Sequence, residues 1–199
     1  MVCCNRIDWA TSGVNNMAQP NKPLAGLKVI DLTQIYQGPY AALLFAMAGA
    51  EVIKVEPVAG ERLRGAGGAK TPLSFAMLNS NKKSITLNLQ DDQGKNLLRE
   101  LVKDADILLE NYAPGVMDRL GVGWDALQQI NPRLIYGSGT GYGLSGPDMN
   151  LLAMDHTIQA ASGVMSATGD ADSPPSRSGG APCDCLLYTS DAADELLGV

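Results

Sequence analysis

The stretch that most limits the possible folds is Leu27 to Glu56, LKVIDLTQIYQGPYAALLFAMAGAEVIKVE. Leu27 to Leu32 alternates and is rich in aliphatic and β-branched residues, as a strand requires, and Gln37-Gly38-Pro39 marks the break after it. Pro39 suits the first turn of a helix, where its missing N–H has no partner to lose. Ala41 to Met47 is apolar on every face, which predicts a helix buried all round and stopped at Gly49. Val52 to Val55 then reads as the second buried strand of a parallel pair. Strand, helix and strand form a βαβ unit. Such crossovers are almost always right-handed and leave a helix N-terminus at the carboxyl edge of the sheet, where ligands bind.

The later chain repeats the alternation. Leu73 to Leu78 reads as a short helix and Ser84 to Asn88 as a third strand. Asp91 or Asp92 suits the cap of a helix whose Leu97, Leu98, Leu101 and Val102 recur at helical spacing, leaving Lys95, Arg99, Glu100 and Lys103 on the wet side. Ile107 to Glu110 is a fourth strand, Asn111 to Gly115 a turn, Pro114 to Leu120 and Trp124 to Ile130 two short helices, and Leu134 to Ser138 strand five. Asp155 to Gly163 returns to helix, and Gly169 to Gly180 is a Ser-, Pro- and Gly-rich loop. Strands alternating with helices at this spacing predict an α/β fold, a Rossmann-like, mainly parallel sheet with helices on both faces; the strand order is left open.

Composition narrows the function classes. The 199 residues, 45% hydrophobic and 18% charged, suit one domain with a sizeable core. A net charge of −6 argues against nucleic-acid or anionic-membrane partners, although a local basic pocket for a phosphate remains compatible with it. The amino end lacks the apolar core of a signal peptide and no apolar run is long enough to span a bilayer, so a cytoplasmic protein with its four cysteines reduced is expected. One histidine and the pairs Cys3-Cys4 and Cys183-X-Cys185 offer no spacing for a metal, and none is expected.

Two phosphate-binding patterns are formal matches only. Ala69-Lys70-Thr71 lacks the glycine that a P-loop needs before its lysine. Gly141 to Gly146, GYGLSG, spells the dinucleotide fingerprint but is followed by Pro147-Asp148 and opens no capped helix.

Several stretches together resemble one family, the type III CoA-transferases of the CaiB/BaiF type, which includes formyl-CoA transferase and α-methylacyl-CoA racemase. The pieces are PLAGLKVIDLTQ, GPYAALLFAMAGAEVIKVEP, NSNKKSITLNL, DADILLENYAPGVMDRLGVGW, NPRLIYGSGTGYG and DHTIQAASGVMSATG, in family order from Pro23 to Asp184. The resemblance implies an enzyme that binds acyl-CoA and a small carboxylic acid on a Rossmann-like large domain, with coenzyme A as the substrate's carrier and complete chains forming interlocked homodimers. It places CoA contacts on Gln34, Ile35 and Tyr36 after strand one, Leu87 after strand three, Asn111 and Tyr112 after strand four, and Arg119, with Arg64 a further phosphate contact. Leu87 and Ile35 are residues that burial alone explains, and Arg119 equally suits the carbonyl end of a helix.

The resemblance puts the nucleophile at Asp184, which follows Pro174-Pro175 across SRSGGAPC. In such transferases this carboxylate attacks the thioester carbonyl to give a mixed anhydride and CoA thiolate, and an enzyme acyl-CoA thioester then receives the acceptor acid. Racemases of the family resemble GHDIN at a helix start, where this chain has Ala153-Met154-Asp155-His156-Thr157, so Met154 stands where their histidine would and transfer is expected. His156 is about 100° further round a helix and is expected to point away from the site. A racemase-type isomerase and a non-catalytic nucleotide-binding domain are the alternatives.

Residues 1–23 read as a tail and 24–184 as the amino-terminal part of the family's large domain. From Cys185 the chain departs from the family: CLLYTSDAADE resembles the translation of a sequencing adapter, so 185–199 is expected to be non-native, the alternative being an amphipathic helix capped at Ser190. A truncated chain of this kind is expected to be inactive alone.

Overall fold

The computed structural model describes residues 22–68 and 72–184. The expectations for Ala69-Lys70-Thr71, for the segment from Cys185 onward and for all but the end of the amino-terminal tail lie outside those residues.

Five strands form one parallel sheet: β1 (Lys28–Asp31), β2 (Glu51–Glu56), β3 (Lys83–Thr86), β4 (Ile107–Glu110) and β5 (Ile135–Ser138), in the order β3-β2-β1-β4-β5. The chain builds outward from β1 to β3, then returns to lay β4 against the other side of β1. That reversal is the topological switch point at which open α/β sheets bind ligands.

The period-two alternation of β1 divides the core. Val29 faces one side with Val52, Ile107, Leu109 and the alanines of α1 (Gln37–Met47). Ile30 and Leu32 face the other with Leu98 and Val102 of α3 (Asp92–Lys103), Met117 of α4 (Val116–Arg119) and Leu127 of α5 (Trp124–Ile130). Helices therefore cover both faces, which is why the central strands are apolar on both. Two further helices, α2 (Leu73–Asn79) and α6 (Asp155–Ala161), lie outside these layers in sequence, α2 packing on α1.

Most elements form where the patterns put them. Asp91 caps α3 by accepting the Gln93 N–H at 2.8 Å, and Gly49, at φ +105°, ends α1 in the left-handed conformation that glycine adopts without penalty. The GYGLSG stretch is irregular chain between β5 and α6.

Three expectations are corrected. The helix predicted to be buried all round is not: α1 sets Ala41, Ala42 and Ala46 inward, while Leu44 and Met47 are 45% and 60% exposed. Small residues allow the close approach to the sheet, and the bulky ones are left outside. The third strand starts and ends earlier than Ser84 to Asn88, and all four of its residues are exposed, because β3 is the sheet's edge. Arg99 is not simply solvated; its guanidinium donates to the Gly121 carbonyl at 3.0 Å, closing the turn after α4.

Candidate active site

The site grows from the carboxyl end of β1. Asp31 ends that strand completely buried, and its register partner on β2 is Lys54, whose ammonium lies 3.6 Å away and donates to the Thr33 carbonyl at 2.9 Å. Lys82 approaches from before β3, 2.9 Å from Asp31, and donates also to the Pro39 carbonyl and to Asn79. Buried charges are tolerated only when paired and hydrogen-bonded, and here two ammonium groups flank one carboxylate. Burial still depresses the Lys82 ammonium to a pKa of about 8, against the opposing pull of Asp31. The cluster anchors both the exit of β1 and the first turn of α1.

The turn that follows, Gln34-Ile35-Tyr36, is strained and held from two sides. Ile35 has φ +70°, a left-handed conformation that costs a β-branched residue about 1–3 kcal/mol. From the far side of the switch point, Asn111 accepts the Gln34 N–H at 2.8 Å through Oδ1 and donates to the Gln34 carbonyl at 2.9 Å through Nδ2. From the loop after β2, the buried carboxylate of Glu61 accepts the Ile35 N–H at 2.8 Å and the Leu63 N–H at 3.0 Å. The conformation persists because its surroundings determine both neighbouring amides.

These elements line a cleft of about 420 Å³, the size of a small-molecule site. Gln34, Ile35, Tyr36, Asn111 and Tyr112 all border it, as do Asp184 and Met154. Asp184 is brought there by α6. Asp155, 5% exposed, accepts the backbone N–H groups of Cys183 and Asp184 on Oδ1 at 2.9 and 3.3 Å. Its Oδ2 accepts from the fully buried Gln159, whose own carbonyl takes the Ser178 N–H at 3.0 Å. One helix thus fastens the chain at Ser178 and again at Cys183-Asp184. Burial raises the Asp184 pKa above the ordinary aspartate value, Asp155 raises it further, and His156 partly offsets them. A half-buried carboxylate beside an open cleft is a competent nucleophile or base once ionised.

Three residues expected at the site are elsewhere. Leu87 is 5% exposed within the core against α3. Arg64 forks onto Glu56, with Nε and Nη2 each 2.6 Å from its two oxygens, and lies 4.1 Å over the Phe75 ring. It is absent from the cleft lining, its charge already matched. Arg119, at the end of α4, is exposed and also does not line the cleft. His156 is exposed and meets Arg177 at 2.6 Å rather than lining the cleft, as its helical phase predicts.

Sequence reasoning missed three participants: Asp155, Gln159 and Arg62, whose guanidinium-bearing residue does border the cleft. For the first two a signal existed, since a carboxylate and an amide four residues apart share one helix face. For Arg62 none did, because nothing in ERLRG says which arginine borders the cleft. A second cleft of about 480 Å³ lies beside Pro114 and is lined by Glu110, Asp118, Trp124 and Tyr136. None of the expected binding residues borders it. Among the described residues no group of His, Cys, Asp and Glu is arranged to hold a metal.

Strand order, switch-point cleft and a fastened carboxylate define an α/β protein with a cleft of ligand size at the carboxyl edge of its sheet. The sequence profile of CoA-transferase family III matches residues 24–189, and the chain belongs to that family. It is 45% identical over 166 residues to the acetyl-CoA:oxalate CoA-transferase of Acetobacter aceti, covering 82% of this chain and 43% of that protein. It is 42% identical over 161 residues to a formyl-CoA:oxalate CoA-transferase of Streptomyces avermitilis, covering 79% and 39%. Among solved structures, a CaiB/BaiF family protein from Brucella suis superposes with a TM-score of 0.82 at 37% identity, over 89% of this chain and 49% of that one. A hypothetical protein from Mycobacterium tuberculosis gives 0.79 at 34% identity, over 89% and 51%. The chain thus spans about two fifths of the length of these curated relatives and about half of each of these solved structures.

Proposed function

We propose that the full-length protein is an acyl-CoA:carboxylate CoA-transferase in which Asp184 is the covalent catalyst. The observation that supports it is the meeting of Asp184 with the Gln34–Tyr36 turn and Asn111-Tyr112 around one cleft. In this reading the turn and the β4 exit wall the CoA thioester, and Asp184, bordering the same cleft, attacks its carbonyl. The carboxylate adds to that carbonyl and expels CoA thiolate, leaving a mixed anhydride. The thiolate then attacks the aspartyl carbonyl, releasing the first acid and forming an aspartyl-CoA thioester. The acceptor carboxylate repeats these steps in reverse and leaves as the new acyl-CoA. The names of the similar relatives favour a short acyl donor and oxalate as acceptor.

The same reading takes residues 24–184 as the amino-terminal part of the large domain, a homodimer as the working assembly, and the cytoplasm as its place. Exposed Leu44, Met47, Leu151 and Leu152 suit a surface that further chain or a second subunit covers. No helix among the described residues is long and apolar enough to cross a membrane.

Atom balance supplies the test. In this scheme one oxygen of the acceptor acid remains on Asp184 after a turnover. Acceptor labelled with ¹⁸O, incubated with the full-length protein and acyl-CoA, is expected to leave label in the peptide containing Asp184. Transfer with no label in that peptide overturns the covalent route, and no transfer overturns the function.

A further inference from the structure

We infer that Arg62 is the oxyanion-binding residue of the cleft, receiving a phosphate of CoA or the carboxylate of the acceptor; the inference rests on the CoA-transferase reading above. The cleft's charge pattern motivates it. Among the described residues that line it, Arg62 is the only cation, and the charged groups it shares the lining with are Asp155 and Asp184. A substrate pair made of a multiply charged nucleotide and a carboxylate, entering a protein of net charge −6, needs a cation there.

Local geometry explains why Arg62 and not Arg64 takes this place. Both lie in the 3-10 helix Arg62–Gly68, whose three residues per turn put positions two apart on different faces. Arg64 turns back to the sheet, where Glu56 engages both its donors and Phe75 covers its plane. Arg62 is exposed at the cleft and has no hydrogen bond or ion pair among the described residues. Its neighbour Glu61 fixes it. The Glu61 carboxylate is buried against the Ile35 amide, so the backbone presenting Arg62 is tied to the turn that forms the cleft wall. A guanidinium held at its base and free at its fork is the arrangement that meets phosphate or carboxylate with two parallel donors.

The test separates the two oxyanions. In the full-length protein, Arg62→Ala and Arg62→Lys are compared with wild type on acyl-CoA, on the matching acyl-pantetheine that lacks the phosphates, and across acceptor concentration. If phosphate is the ligand, Arg62→Ala raises KM for acyl-CoA about tenfold or more, at least tenfold more than for the pantetheine thioester, with kcat changed less and Arg62→Lys intermediate. If the acceptor carboxylate is the ligand, KM for the acceptor rises instead with either thioester. Unchanged KM for both substrates overturns the inference while leaving the function standing. A wild-type protein that binds no CoA by calorimetry sinks the functional reading, and this site with it.

Discussion

Asn111 grips the backbone of Gln34 with both ends of its amide, Oδ1 taking the N–H at 2.8 Å and Nδ2 giving to the carbonyl at 2.9 Å, across the boundary between β1 and β4. The short planar amide carries a donor and an acceptor side by side, and glutamine carries the same pair one methylene further out. Asn111→Ala is expected to cost about 1–3 kcal/mol of stability, since the Gln34 groups lose partners at a half-buried position. Asn111→Asp should fare worse than its size suggests, because a carboxylate oxygen then faces the Gln34 carbonyl. Urea unfolding gives the first quantity. Calorimetric titration with CoA gives the consequence for the site, an affinity falling in the order wild type, Ala, Asp.

The carboxylate of Asp155 lies against the backbone of Asp184, and its charge helps keep the neighbouring carboxyl protonated to higher pH. In the proposed mechanism Asp184 must be ionised to attack, so kcat/KM in the full-length protein should rise with pH along a limb whose midpoint is above the ordinary aspartate range. Asp155→Asn removes the like charge and should move that limb to lower pH, even as the loop fastening weakens. A limb that stays in place removes Asp155 from this role. Asp184→Asn should abolish transfer at every pH while CoA still binds, because the amide keeps the volume and loses the nucleophile.

How far the chain could be read in advance depended on whether a feature was local. Ile107–Glu110 and Trp124–Ile130 form where expected because their patterns and their bordering turns lie within a few residues. The cap at Asp91 is likewise a three-residue event. The burial of α1 was misread because uniform apolarity carries no phase; the choice of alanine faces for the sheet depends on β1, β2 and β4 together. Only the family resemblance singles out Asp184 in the sequence, since the Gln159 and Asp155 contacts that fasten its loop reach across 19 and 28 residues. That Arg62 and not Arg64 borders the cleft could not be read in advance, because a short 3-10 segment has no sequence signature for its starting angle.

The pair formed by Glu56 and Arg64 makes a signed prediction about acid stability. Burial pushes the Glu56 carboxyl upward, but hydrogen bonds from Arg64, Ser84 and the Glu61 backbone overcome it and hold the pKa at about 2. A carboxyl so depressed contributes stability that is full above its unfolded pKa near 4.5 and is lost as pH falls toward 2. Arg64→Ala removes the strongest of these partners and brings the folded pKa back toward 4.5, so the variant should be less stable at neutral pH and lose less stability on acidification than wild type. Urea midpoints for wild type and variant between pH 2 and 7 test it; parallel curves would show that the fork contributes nothing to the titration.

Racemisation requires an acid and a base on opposite faces of the α-carbon. Met154 borders the cleft with no proton to exchange, and His156 faces Arg177 at the surface. The full-length protein, incubated in D2O with a 2-methylacyl-CoA, is therefore expected to incorporate no α-deuterium, while exchanging CoA among added carboxylates. Deuterium uptake without CoA exchange would reverse the choice between transferase and isomerase.

The left-handed backbone of Ile35 sets two kinds of fitness against each other at a single position. Ile35→Gly or Ile35→Asn relieves a conformational penalty, so a screen that selects for heat resistance should enrich both. The same exchange strips an apolar wall from the cleft and frees a turn that Asn111 and Glu61 otherwise hold in one shape. A screen for turnover should discard what the first one keeps. Breeders of a hardier enzyme would do well to leave this residue alone and look for their gains on the outer face of α3, far from the switch point.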